Sequence, residues 1–327
     1  MRSYDVRIDI TGRTALDGRL KTAATVFLPD QIKEPLTALV AYPGSGCSRE
    51  YYDIRTHTGY SQAEYHTAQG FAFVACDHVG TGDSSECDLF GLNFENMASA
   101  NHITACEILG HLSQGTLTDD IPPLHIDKAI GIGHSMGGCL LTVQQATHRT
   151  FDGVAMLGWS AVHEDLPSPD GSGIAVPRIP RSPDLRALRA DADIAAKATA
   201  RDTNLIRLAF HGLEGQSELM EADLKGVANA SEPSPSIAPW RVTTIPPCFT
   251  MMAAERAVAE EAAVIEVPVL TAFGEVDCGP DPLDEPNIYS SSRNVSSVIV
   301  RKMGHMHNLA LTRQVLWHRI TMFAQSV

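Results

Sequence analysis

The stretch Asp127-Lys-Ala-Ile-Gly-Ile-Gly-His-Ser-Met-Gly-Gly-Cys139 constrains this chain more than any other, because it leaves room for only one local geometry. Ala129, Ile130 and Ile132 make a short apolar run with glycine neighbours, the pattern of a central parallel strand covered on both faces. Gly133-His134-Ser135-Met136-Gly137 then matches Gly-x-Ser-x-Gly, in which a cramped strand-to-helix turn lifts a serine hydroxyl above the sheet edge. Side chains at 133 or 137 would crowd the strand and the helix where they pass closest. Cys139, Leu140, Leu141 and Val143 give the helix that follows a buried face, and its N-terminus presents N–H groups and partial positive charge to the serine. The pentapeptide alone is a weak signal. A strand before it and a helix after it make it specific.

The rest of the chain alternates strand and helix patterns around this segment. Ser3 to Thr11 and Leu20 to Leu28 read as an antiparallel hairpin, with Thr11-Gly12 and Asp17-Gly18 as turn chemistry. Leu36 to Ala41 is a buried strand that runs into Tyr42-Pro-Gly-Ser-Gly-Cys-Ser48, a loop whose two glycines allow close backbone approach to a ligand. Ser61 caps a helix over Gln62 to Gln69, and Phe71 to Cys76 is a strand entering Asp77-His-Val-Gly-Thr-Gly-Asp-Ser-Ser85. Gly80-Thr-Gly82 lacks the third glycine of a dinucleotide fingerprint. Phe94 to Leu112 has helical period, and Phe151 to Ser160 is a strand. From Ala161 to about Ala262 the pattern changes to prolines and helical stretches such as Asp184 to His211, which is the composition of an inserted cap. Leu205, Leu208, Phe210, Trp240, Phe249, Met251 and Met252 supply its apolar residues, as cap core first and pocket wall second. Ala253 to Ile265 reads as a helix rich in alanine and glutamate. Val267 to Gly274 and Val295 to Val300 return to strand pattern, and a final helix carries Leu316, Ile320 and Phe323 on one face.

Composition narrows the partners. A net charge of −14 over 327 residues repels polyanions, which excludes nucleic acid and an anionic membrane surface and favours neutral or cationic small molecules. Seven cysteines with no CxxC pair read as reduced thiols of a cytoplasmic protein, and no zinc spacing is present. The first residues lack an apolar leader core and no run of 18 apolar residues occurs, so a soluble, unexported protein is expected.

A serine becomes nucleophilic when a base takes its proton and a carboxylate orients that base. Asp277 follows one strand and His305 follows the next, giving the order Ser, Asp, His along the chain. His307 competes with His305 for the role of base. Glu164 and Asp165, just after the Trp159-Ser160 strand end, are the runner-up acids. His-x-His as a metal pair is the weaker alternative, since no third ligand stands at metal spacing. His125 and His148 are taken as surface or structural.

With Gly-His-Ser-Met-Gly-Gly at 133–138, Asp-x-x-Gly-x-Gly-x-Ser at 77–84, Gly-x-x-Asp at 274–277 and Gly-His at 304–305, the chain resembles the α/β-hydrolase superfamily. The resemblance covers both halves of the sheet and leaves the cap unmatched. It implies an α/β fold with a mostly parallel central sheet flanked by helices and a helical cap inserted after the sixth strand. The core would take residues 1–160 and 263–327, and the cap 161–262. It also implies Ser135 as nucleophile, His305 as base then acid, and Asp277 as the carboxylate. The oxyanion hole would be the N–H of Met136 with one from Ser45 or Gly46. The usual His-Gly of that loop is Pro43-Gly44 here.

The expected reaction is hydrolysis of a carboxylic ester or lactone of a mid-sized, largely apolar small molecule through an acyl-serine, with no metal or cofactor. C–C bond, amide or thioester hydrolysis on the same triad, and a small-molecule receptor with the same fold, are the alternatives.

Overall fold

The computed structural model describes residues 1–167, 174–175, 179–181, 185, 203–212, 217–228 and 237–327. Its centre is an eight-stranded sheet: β1 (Arg2–Asp9), β2 (Lys21–Leu28), β3 (Leu36–Tyr42), β4 (Ala72–Cys76), β5 (Ile126–His134), β6 (Gly153–Leu157), β7 (Val269–Gly274) and β8 (Val295–Val300), in the order β1-β2-β4-β3-β5-β6-β7-β8. The expected hairpin forms, with Arg2 opposite Leu28 and Asp9 opposite Lys21. β2 also runs antiparallel to β4, and every pairing from β4 to β8 is parallel. A parallel neighbour needs a crossover, and helices supply it.

Those helices are α1 (Gln62–Ala68), α2 (Phe94–Gln114), α3 (Met136–His148), α4 (Thr203–His211), α5 (Ser217–Ala228), α6 (Ala259–Ala263) and α7 (Arg313–Ser326). Local chemistry sets their starts. Ser61 Oγ accepts the Glu64 N–H at 2.9 Å, as its sequence position led one to expect, and Asn93 and Asn96 cap α2 reciprocally.

Side chains alternate across each strand, so the sheet has a core on both faces. Ala38, Val40 and Tyr42 of β3 and Val154 and Met156 of β6 pack with α2 and α3. Leu39, Ala41, Ala155 and Leu157 face the opposite way and pack with Tyr51, Leu316 and Ile320. Burying each such aliphatic side chain contributes about 1.5–3 kcal/mol, which is why the central strands read as unbroken apolar runs.

The cap lies in the chain between β6 and β7, after the sixth strand. Most of the expected helix Asp184 to His211 lies outside the described residues, and its C-terminal part is α4. A two-residue ladder also joins Asp165–Leu166 to Ile174–Ala175. The helix expected over Ala253 to Ile265 is shorter than its composition suggests. Only Ala259–Ala263 is α-helical, because Arg256 takes a left-handed φ of 55° and gives its N–H to the Val162 carbonyl at 2.6 Å. Among the described residues no helix is long and apolar enough to cross a membrane.

Candidate active site

Ser135 stands between the end of β5 and the start of α3 with φ 52° and ψ −120°, a conformation that costs a non-glycine residue about 1–3 kcal/mol. The surroundings impose it. The Ser135 N–H donates to the Leu157 carbonyl at 2.8 Å, and the Ser135 carbonyl accepts from Gly138 N–H at 2.7 Å. A Cβ at Gly133 would overlap the Gly137 carbonyl, and one at Gly137 would overlap the Tyr42 carbonyl at the end of β3. The glycines therefore serve close approach, as the spacing indicates.

Asp277 and His305 meet behind this turn. His305 Nδ1 lies 2.7 Å from Asp277 Oδ1, and His307 Nε2 lies 2.7 Å from Asp277 Oδ2. The N–H groups of Cys278 and Gly274 donate to the same two oxygens, each at 2.8 Å. Burial pushes the Asp277 carboxyl up, but His305 and His307 outweigh it and hold the pKa well below the usual carboxylate range.

The two imidazoles differ in what remains free. His307 spends Nε2 on Asp277, and its Nδ1 is buried without a partner. His305 spends Nδ1, so its Nε2 stays open, and its ring packs against Gly158, next to the Leu157 carbonyl that holds Ser135. Ser135 Oγ makes no hydrogen bond to either imidazole in this structure. Such contacts commonly tighten only when substrate binds.

The runner-up acids do not join this cluster. Asp165 lies 3.5 Å from His163 in the short ladder. Glu164 is buried with Oε1 unpartnered, and burial, then Asp277 and Glu285, push its pKa well above the ordinary value. A carboxyl held neutral cannot balance an imidazolium.

The loop after β3 takes the expected place. The space a Cβ on Gly44 would fill is 3.1 Å from Ser135 Cβ, and Gly46 has φ 72°. Among the described residues the N–H groups of Ser45, Gly46 and Met136 have no hydrogen-bond partner. Where the familiar His-Gly is replaced, His78 Nε2 lies 3.0 Å from the Pro43 carbonyl and its ring stacks on Tyr42.

Three features escaped the sequence reading. His134 Nε2 donates to the His305 carbonyl at 2.7 Å, while burial first, then the neighbouring imidazoles, keep His134 neutral. The His305 and Met306 N–H groups donate to the Ala209 and Phe210 carbonyls of α4 at 3.0 and 2.7 Å, tying the histidine loop to the cap. Asp77, part of a quoted motif, turns out to be the hub of its loop, taking Arg49 Nη1 at 2.5 Å and the Asp83 N–H at 2.9 Å. Of the expected cap residues, Trp240, Met251 and Met252 are buried in the two cores, whereas the half-buried Phe210 ring lies 5.6 Å from the His305 ring. The Leu205 side chain lies outside the described residues. Asp277, Cys278 and His305 also have ligand atoms close enough to hold a metal ion. Both Asp277 oxygens, however, are already committed to imidazole and backbone donors.

No protein-family model matches the sequence, and no curated relative matches it. Solved structures do. An esterase from Thermogutta terrifontis, 15% identical, aligns over 99% of this chain and 98% of its own with a TM-score of 0.60. The enol-lactonase from Burkholderia xenovorans LB400 is 17% identical over 95% of this chain and 98% of its own, with a TM-score of 0.58. A peroxisomal α/β-hydrolase of Saccharomyces cerevisiae is 14% identical over 100% of this chain and 90% of its own, with a TM-score of 0.57. Identities this low speak for architecture, and together with the strand order and the serine turn they establish that this chain has the α/β-hydrolase fold.

Proposed function

We propose that the protein is a serine hydrolase that cleaves a carboxylic ester or lactone of a mid-sized, largely apolar small molecule. The observation that carries this reading is the shared Asp277 carboxylate, with His305 held through Nδ1 and its Nε2 left open beside the Ser135 turn.

The steps use protein groups alone. Ser135 Oγ adds to the carbonyl carbon as its proton passes to His305 Nε2, and the carbonyl π pair moves onto oxygen. That oxygen faces the N–H of Met136 and one from Ser45 or Gly46, donors that need no reorganisation when charge develops. Asp277 stabilises the imidazolium and does not itself take the proton. Collapse breaks the C–O bond, the leaving oxygen takes the proton from His305, and the acyl group stays on Ser135. A water molecule then gives its proton to His305 and adds its hydroxide to the acyl carbon. Collapse releases the acid and returns the proton to Ser135. For a lactone the leaving oxygen remains tethered to the acyl chain.

Structures of esterases and lactonases among those with the same fold support the reaction class. All seven cysteines are unpaired, which supports a reducing compartment, and we place the protein in the cytoplasm.

The test is a panel of neutral esters and lactones of graded size, with fluorophosphonate labelling, on wild type and Ser135→Ala. Turnover and stoichiometric labelling that both vanish in the variant support the reading. Undiminished turnover in Ser135→Ala removes it.

A further inference from the structure

Arg241 is a buried cation in the stretch expected as the cap. Arg241 Nε and Nη2 donate to Asp223 Oδ1 and Oδ2 at 2.7 and 2.6 Å, and Trp240 Nε1 donates to the same carboxylate at 2.7 Å. Asp223 is fully buried, the Arg241 side chain is only 5% exposed, and His211 Nε2 stands 3.2 Å from Asp223 Oδ2. The fork leaves Nη1 over, with two N–H groups and, among the described residues, no hydrogen-bond partner.

Nη1 is the guanidinium atom nearest Gly46, in the loop after β3. It lies 3.5 Å from where a Cβ on Gly46 would stand. The backbone holds it there: Arg241 bridges Cys47, Ser48 N–H donates to the Trp240 carbonyl at 2.9 Å, and Val242 N–H donates to the Gly46 carbonyl at 3.1 Å. On its other side the guanidinium carbon sits 5.7 Å from the Phe210 ring, which in turn lies 5.6 Å from the His305 ring. Arg241 thus stands between the loop that would hold the oxyanion and the loop that carries the base.

We infer that Arg241 Nη1 is a specificity determinant that hydrogen-bonds an uncharged acceptor oxygen on the acyl chain of the substrate, such as a keto oxygen close to the scissile carbonyl. Asp223 cancels the guanidinium charge, so the site offers donors rather than net charge, and a second carboxylate there would leave the pair with an excess anion in a buried place. A site built to donate discriminates strongly against the analogue that lacks the oxygen, because its donors are then left unpaired. The inference rests on the serine-hydrolase reading for the orientation of the acyl chain.

Binding to the Ser135→Ala protein separates the two readings, since it needs no turnover. Calorimetry would compare methyl octanoate, methyl 3-oxooctanoate, methyl 4-oxooctanoate and the monomethyl ester of octanedioic acid. The expected result is binding of at least one keto ester about tenfold or more tighter than methyl octanoate, with the carboxylate ester no better than the parent. The preference falls to within about twofold in Arg241→Gln combined with Asp223→Asn, a pair that keeps a neutral hydrogen bond at the site, and is retained in part by Arg241→Lys. A keto preference that survives in the double variant, or no keto preference in the Ser135→Ala protein, overturns the inference. So does tightest binding of the carboxylate ester. Fluorophosphonate labelling that persists in Ser135→Ala with the keto preference intact would instead count against Ser135 as nucleophile.

Discussion

His307 Nε2 lies 2.7 Å from Asp277 Oδ2, on the opposite oxygen from His305, so the carboxylate that orients one imidazole is itself gripped by another. On the proposed mechanism His307 is a positioning residue. A hydrogen bond to a charged group is worth about 1.5–3 kcal/mol, so His307→Ala should lower kcat by about tenfold to a hundredfold. His307→Gln, whose amide N–H can reach the same oxygen, should recover most of that loss. Ester hydrolysis by the two variants decides it. Equal damage from both would reduce His307 to a packing role.

Asp277 supplies the sharper loss. Asp277→Asn keeps the size of the side chain but presents a donor to His305 Nδ1, which favours the wrong tautomer for a base acting through Nε2. In the serine-protease precedent this change costs about four orders of magnitude in kcat. A loss of that order is expected here, with native circular dichroism. A near-normal rate would reopen Glu164 as the acid.

The backbone at Ser135 stores strain that a glycine would release. At φ 52° and ψ −120°, Ser135→Gly should stabilise the fold by about 1 kcal/mol relative to Ser135→Ala, while both abolish fluorophosphonate labelling. Thermal unfolding of the two variants measures the difference. An alanine variant as stable as the glycine variant would show the turn to be relaxed.

Glu285 links stability to pH. Burial raises its carboxyl from an ordinary value of 4.5 to about 7, although the Ser160 hydroxyl and the Ala161 N–H donate to it at 2.6 and 2.8 Å. Between those two values the unfolded chain has lost the proton and the folded chain keeps it. Stability therefore falls as pH rises through that window, by about 3 kcal/mol at most. Glu285→Gln removes this dependence and should flatten the decline in unfolding temperature between pH 4.5 and 7.5. An unchanged slope in the variant would assign the dependence to other groups.

Much of the fold was written in local pattern. Apolar runs of strand length, the Ser61 cap and the glycines around Ser135 act over a few residues, so periodicity and turn chemistry expose them in the chain itself. Ala253 to Ile265 shows the limit of that logic. Its composition suits a helix, but the contact of Arg256 with Val162, 94 positions earlier, ends it early.

The sequence by itself determined the strand-turn-helix that presents Ser135 and the succession of Ser135, Asp277 and His305 on loops that each follow a strand. Only the tertiary structure put His305 and His307 on Asp277 through different ring nitrogens, set Glu164 apart from Asp277, and brought Arg241 and Asp223 to the loop at Gly46. The reason is physical. Two histidines two residues apart are equivalent as letters. They differ in which nitrogen meets the carboxylate and which is left open, and that depends on burial and on partners brought in from distant parts of the chain.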